Sequence, residues 1–142
     1  MGANYSSRLN KLLILQKLAV RFILNLPYRS HVLHHFNSLG ILNIYQIFTH
    51  KSLCFMFKYH HKLLPSIFND FFTSIQFSYS NNKYLNCYQL PMVRTNYLKF
   101  SIKFYGPQIW NSIPNDLKTL NLFSKFKKDS KKYILVNNIN TV

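Results

Sequence analysis

Glutamate is absent from this chain of 142 residues, and its only carboxylate side chains are Asp70, Asp116 and Asp129. Three scattered aspartates, with no Asp-Asp pair, cannot hold the two divalent ions of a nucleotidyl-transfer centre. The three glycines stand apart from one another, which excludes a glycine-rich phosphate-binding loop. Cys54 and Cys87 are the only cysteines, and they form neither a C-x-x-C pair nor a metal-binding spacing. They read as free thiols in a reducing compartment. No run of 18 or more apolar residues exists, so no transmembrane helix is expected. Arg8, Lys11, Lys17 and Arg21 interrupt the first apolar stretch, and no small-residue cleavage site follows, so it does not read as a secretory signal.

Cations dominate what remains. The chain carries 18 Lys and Arg against its three acids, a formal net charge of +15. Internal ion pairing cannot neutralise such a surface, and polyanions are its natural partners, nucleic acid first and an anionic membrane second. Lys, Asn, Ile, Phe and Tyr all have A/T-rich codons, so compositional drift accounts for part of the imbalance; the absence of Glu, also compatible with A-rich codons, is not covered by it. A hydrophobic fraction of 48% is too high for wholesale disorder. The length suits a single domain with a modest core that needs no disulfide or metal. Met1-Gly2-Ala3-Asn4-Tyr5-Ser6 fits the N-myristoylation pattern, which admits a peripheral membrane protein acylated on Gly2 as an alternative reading.

Residues 1–72 read as a helical half, 73–88 as an exposed polar loop, and 89–142 as a second half ending in a basic helix. The first helix is predicted over about 7–26. It places Leu9, Leu12, Leu15, Ala19, Phe22 and Ile23 on a core-facing side and Asn10, Lys17 and Arg21 on the other, and Pro27 stops it. A short helix over 31–37 follows, with Ser30 as N-cap and Gly40 at C′. A longer one runs from near Asn43 to about Leu63, stopped by Pro65, and Ser66 caps a further turn or two. Leu98, Phe100, Ile102 and Phe104 alternate with Lys99, Ser101 and Lys103. That period of two predicts a strand over 97–104, paired in a short hairpin with 88–93, where Pro91 confines the partner to an edge. Gly106-Pro107 reads as a turn, with Pro107 in the first turn of a helix. Trp110, flanked by Ile109 and Ile113, reads as a core anchor. The fold class is therefore mainly α, a small helical domain with a hairpin near 88–104.

Gly106-Pro107-Gln108-Ile109-Trp110-Asn111-Ser112-Ile113-Pro114 resembles the G-P-x-x-W-N-S-[LI]-P signature near the C-terminal end of LINE-type (non-LTR) retrotransposon reverse transcriptases. Other segments resemble the same family in the same order. They are Leu15-Gln16-Lys17-Leu18-Ala19-Val20-Arg21, Pro27-Tyr28-Arg29-Ser30-His31, Leu39-Gly40-Ile41-Leu42, Phe57-Lys58-Tyr59-His60, Arg94-Thr95-Asn96, and the closing run Phe126-Lys127-Lys128 to Lys132-Tyr133-Ile134-Leu135. The resemblance covers about 7–135. It implies a region beyond fingers, palm and thumb that is not catalytic and helps hold template RNA or target DNA. The Y-x-D-D turn of the polymerase and the acidic ligands of the family's endonuclease are not in this sequence, so no enzyme and no cofactor is expected.

Phosphate contacts then fall to Arg94, Lys99 and Lys103, and to Lys125, Lys127, Lys128, Lys131 and Lys132 on the last helix, with Lys17 and Arg21 as a secondary stripe. Tyr84, Tyr88 and Tyr97 are candidates to stack on unpaired bases, or else ordinary packing residues. Gly106, Pro107 and Trp110 are structural. His31 and His35, like His50 and Cys54, stand at i, i+4, yet no third and fourth ligand follows at a recognisable spacing, so no metal is assigned. The expected partners are RNA or single-stranded DNA and the polymerase thumb upstream. An inert product of a decayed element is the competing reading; its first helix would then expose the face on which the thumb once packed.

Overall fold

The computed structural model describes residues 3–75, 86–99 and 101–137. Its order is α1 (Ala3–Ile23), α2 (Leu33–Ser38), α3 (Ile44–His60), a 3-10 turn (Ser66–Phe68), α4 (Asn96–Lys99), α5 (Ile102–Ser112), α6 (Asn115–Lys118) and α7 (Phe123–Asn137). The fold is mainly α, and among the described residues no strand forms. Two compact units are present, one of Met1–Thr49 with Lys131–Val142 and one of His50–Ser130. Gly2, and with it the acylation pattern, lies outside the described residues, as do Tyr84 and most of the polar loop. No described helix is long and apolar enough to cross a membrane.

One device ends the first three helices. Asn25, Gly40 and Lys62 each adopt positive φ, at 49°, 64° and 53°. In each case the residue's own N–H and the next one close back on the last turn. The pairs are Asn25 to Phe22 with Leu26 to Arg21, Gly40 to Asn37 with Ile41 to Phe36, and Lys62 to Tyr59 with Leu63 to Lys58. This is the Schellman arrangement, which satisfies carbonyls that the helix leaves open. Pro27 and Pro65 follow within a few residues and prevent resumption. The start of α3 is equally explicit. Asn43 Oδ1 accepts the Gln46 N–H, and Gln46 Oε1 accepts the Asn43 N–H, both at 3.0 Å, a reciprocal capping box. Helix α2 begins at Leu33, two residues later than predicted, and its N-cap is Val32 with no side-chain cap bond rather than Ser30.

The first unit is built on Val20, Val32 and Phe36, with Leu24 and Leu26 packed against them. Gln16 Nε2 donates to the Leu42 carbonyl at 2.8 Å, and the Tyr45 hydroxyl donates to Asn10 Oδ1 at 3.1 Å. These contacts turn α1 the other way from the sequence prediction. Leu12, Leu15, Ala19, Phe22 and Ile23, predicted to face a core, are exposed, Phe22 at 89% and Ile23 at 67%, while Lys17 and Arg21 are half-buried. The physical reason is that α1 has apolar residues on every side, Leu13, Ile14, Leu18 and Val20 included, so spacing alone does not select the buried one.

In the second unit Phe57, Trp110 and Phe126 form the centre, all with no exposed surface. The rings of Phe57 and Phe126 stack at 4.4 Å, and Trp110 lies 6.0 Å from Phe126 and 5.4 Å from His60. Trp110 Nε1 donates to the Asn86 carbonyl at 2.8 Å, so the buried indole N–H is satisfied. Its neighbour Asn111 grips the main chain of Tyr88, accepting its N–H at 3.0 Å and donating to its carbonyl at 2.8 Å. One amide side chain thus acts as a strand partner for a single residue. The only described β contact is the isolated bridge between Ser74 and Tyr88.

The predicted strand over 97–104 is not there: Asn96–Lys99 and Ile102–Ser112 are helical. Alternation over eight residues also suits a helix once later positions join it, and Ile102, Tyr105, Gly106, Ile109 and Ile113 repeat every three or four residues. Gly106-Pro107 is consequently not a turn. Pro107 sits in the interior of α5, five residues past its start, where it cannot donate to the Lys103 carbonyl. The turn before it is closed from Ser101, whose carbonyl accepts the N–H groups of Phe104 and Tyr105. Gly106 is needed for space. A Cβ there would lie 2.8 Å from Met56 Sδ and 3.4 Å from Ile102 Cδ1, and Met56 is wholly buried. Gly106→Val should therefore cost about 1–3 kcal/mol by overpacking, measured by urea denaturation. Unchanged stability would show that Met56 yields freely.

Candidate nucleic-acid interface

Helix α7 sorts its residues by charge. At about 100° per residue, Phe126, Ser130 and Ile134 fall on one stripe, and all three are fully buried. Lys125, Lys128, Lys131 and Lys132 spread over the other side of the helix, Lys127 borders the stripe beside Ile134, and all five are exposed. Asp129 is the only acid in the helix. Five ammonium groups with one carboxylate on a helix of 15 residues make the most concentrated cationic surface described.

The other predicted site residues are more dispersed. Arg94 is exposed in the irregular segment before α4. Lys99 and Lys103 are exposed on α4 and α5, two helices instead of one strand face, and Lys103 Nζ lies 4.9 Å above the Phe71 ring. Arg21 is engaged within its own unit, its Nε donating to the Ser30 carbonyl at 3.1 Å and its guanidinium lying 5.8 Å from the Tyr28 ring. Tyr88 is buried against Tyr59, Phe72 and His60, which removes it as a stacking platform for a base. The side chain of Tyr97 lies outside the described residues.

A cavity of about 600 Å³ in the second unit is lined by Tyr59, His60, Lys62, Phe68, Phe72 and Tyr88 among others. Its hydroxyls are already used. The Tyr59 hydroxyl lies 2.9 Å from the carbonyls of Asn69 and Phe72 and accepts the Phe72 N–H at 3.2 Å. The Tyr88 hydroxyl is 2.9 Å from His60 Nδ1. Burial, then the neighbouring Tyr59, push the Tyr88 phenol far above its usual range, so it keeps its proton and donates to the imidazole. Burial, then the charges of His61 and Lys118, hold His60 below its ordinary 6.5 and keep it neutral. Because the native pKa is the lower one, His60 stabilises the fold fully above about pH 6.5. That contribution is lost as pH falls from 6.5 through the native value. Urea titrations should show stability declining over this window in the wild type and declining less in His60→Gln; equal slopes would contradict the assignment.

Neither i, i+4 pair is joined by further ligands among the described residues. His50 Nε2 lies 3.0 Å from the Lys127 carbonyl and 3.9 Å from Cys54 Sγ, and the His35 ring lies 3.8 Å from that of His34, tilted by 41°. Among the described residues no three His, Cys, Asp or Glu side chains come together. Burial pushes the Cys54 thiol up. Lys118 is the residue that sequence reasoning missed. It is 2% exposed, and nothing in Asn115-Asp116-Leu117-Lys118 distinguishes it from an ordinary surface lysine.

Comparison with family models, curated proteins and solved structures returns no match to the chain.

Proposed function

We propose that this protein is a non-catalytic, basic nucleic-acid-binding module. In this reading it holds RNA or single-stranded DNA through phosphate contacts of low sequence specificity, and it derives from the post-polymerase region of a LINE-type reverse transcriptase. The observation that carries the binding reading is the exposed lysine arc of α7, set around a buried stripe. Lysines spaced along a helix meet successive phosphates without reading bases. Arg94, Lys99 and Lys103 are further exposed cations of the second unit. The origin rests on the resemblance of the Trp110 segment and of the pieces flanking it. The exposed Leu12, Leu15, Phe22 and Ile23 face of α1 supports it as the place where an upstream polymerase segment packs.

Fluorescence anisotropy with labelled RNA, single-stranded DNA and duplex DNA of equal length tests the reading. Binding of both single strands with little dependence on sequence is expected. Absence of binding at low salt by a chain that is folded by circular dichroism would leave the inert-fragment reading in its place.

A further inference from the structure

Lys118 sits almost wholly inside the second unit, at 2% exposure. Lysine is rarely buried without a counter-charge, because leaving water costs an ammonium group far more than packing its methylenes returns. The one hydrogen-bond partner of its Nζ among the described residues is Cys87 Sγ at 3.6 Å, a weak sulfur acceptor. An ammonium has three N–H donors. Two of them, and the charge itself, are left without an acceptor among the described residues. The nearby Asn111 amide does not supply one, since both of its polar atoms are committed to the Tyr88 main chain.

The same lysine lines a cavity of about 350 Å³, together with Ile75, Cys87, Asn111, Ile113, Pro114 and Asn115. This space is large enough for a tetrahedral oxyanion with part of what it is attached to. The geometry points to a phosphate-binding site in which Lys118 Nζ meets the anion's oxygens at the inner end and the Asn115 amide stands at the exposed rim. Water would satisfy the two idle donors but not the charge, whereas a phosphate group does both. A surface of net charge +15 also concentrates multivalent anions around the chain. The site is separate from the α7 lysines and does not depend on their role. Its phosphate is either a free ion or the terminal phosphate of a strand, since the chemistry at Lys118 is the same.

Cys87 supplies the reporter, because it lines the cavity beside Lys118, whereas Cys54 does not and serves as the internal reference. The probe is inorganic phosphate against chloride at matched ionic strength. The readout is the rate at which N-ethylmaleimide alkylates each cysteine, resolved by peptide mass spectrometry. At ten times its dissociation constant phosphate should slow Cys87 by about tenfold, with Cys54 unchanged. Lys118→Met should erase the difference between the two salts, and Lys118→Arg should keep it. Short oligonucleotides with a 5′-phosphate and a 5′-hydroxyl separate the sources. Stronger protection by the phosphorylated strand assigns the site to a strand end, and equal effects of the two strands beside protection by inorganic phosphate assign it to the free ion. Equal Cys87 rates in phosphate and chloride would overturn the proposal and leave the cavity to water. This arm uses the wild-type chain, so it decides even if the Met variant fails to fold. Undiminished protection in a folded Lys118→Met protein would overturn it as well.

Discussion

Reversing three lysines on α7, as Lys127→Glu/Lys128→Glu/Lys131→Glu, should weaken RNA and single-stranded DNA binding on the order of 100-fold at low salt. All three side chains are exposed, so the fold does not rest on burying them. Each phosphate contact on a single strand contributes about 0.7 to the slope of log affinity against log salt, so losing three should flatten that slope by about 2. A matched control separates place from amount. Lys11, Arg29 and Lys51 are also exposed but lie off α7, and their reversal changes the net charge equally. If the α7 arc is the interface, the control weakens binding far less. Equal losses would mean that only the overall field attracts the strand, and an unchanged slope in the α7 variant would remove these lysines from the site.

Trp110→Ala should lower stability by about 3–5 kcal/mol, the largest effect expected of any single core truncation in the second unit. The indole has no exposed surface and packs against His60 and Phe126. Its removal leaves a cavity, and it also strands the Asn86 carbonyl that Nε1 now reaches at 2.8 Å. Trp110→Phe retains much of the ring volume and loses only the donor, so it should cost about 1–3 kcal/mol. The two variants, compared by urea denaturation, separate packing from hydrogen bonding. Since no part of the indole reaches solvent, Trp110→Phe should bind nucleic acid like the parent wherever it is folded. A specific loss of binding without loss of stability would instead make Trp110 a base-stacking residue.

Helix ends were the most legible part of the sequence, because a few residue types carry them. Pro27, Gly40, Asn43 and Pro65 mark boundaries that depend on local backbone geometry and on caps within a few residues. The mainly α class followed from the same signals. Burial was less legible where the sequence is apolar on all sides, as in α1, whose exposed face is the one its spacing nominated for the core. Residues 97–104 were misread for a related reason. A short alternation is common to strand and helix, and the deciding residues, Tyr105 to Ile113, lie beyond it. Lys118 and Asn111 show a third limit. A lysine turned inward and an amide that clamps Tyr88 both depend on contacts across more than 20 residues of sequence, as the Asn111–Tyr88 and Lys118–Cys87 separations of 23 and 31 make plain. The lysines of α7 were readable as a cationic run, and the exposed arc they form needed only the buried Phe126, Ser130 and Ile134 to orient it.

The most direct test of the central proposal is a salt titration of the purified, folded chain against single-stranded RNA and single-stranded DNA. The proposal predicts affinity that falls steeply and linearly on a log–log scale, with a slope of about −3 to −4 if the five α7 lysines meet separate phosphates. Affinity that does not change with salt, or no binding at the lowest salt, would contradict it.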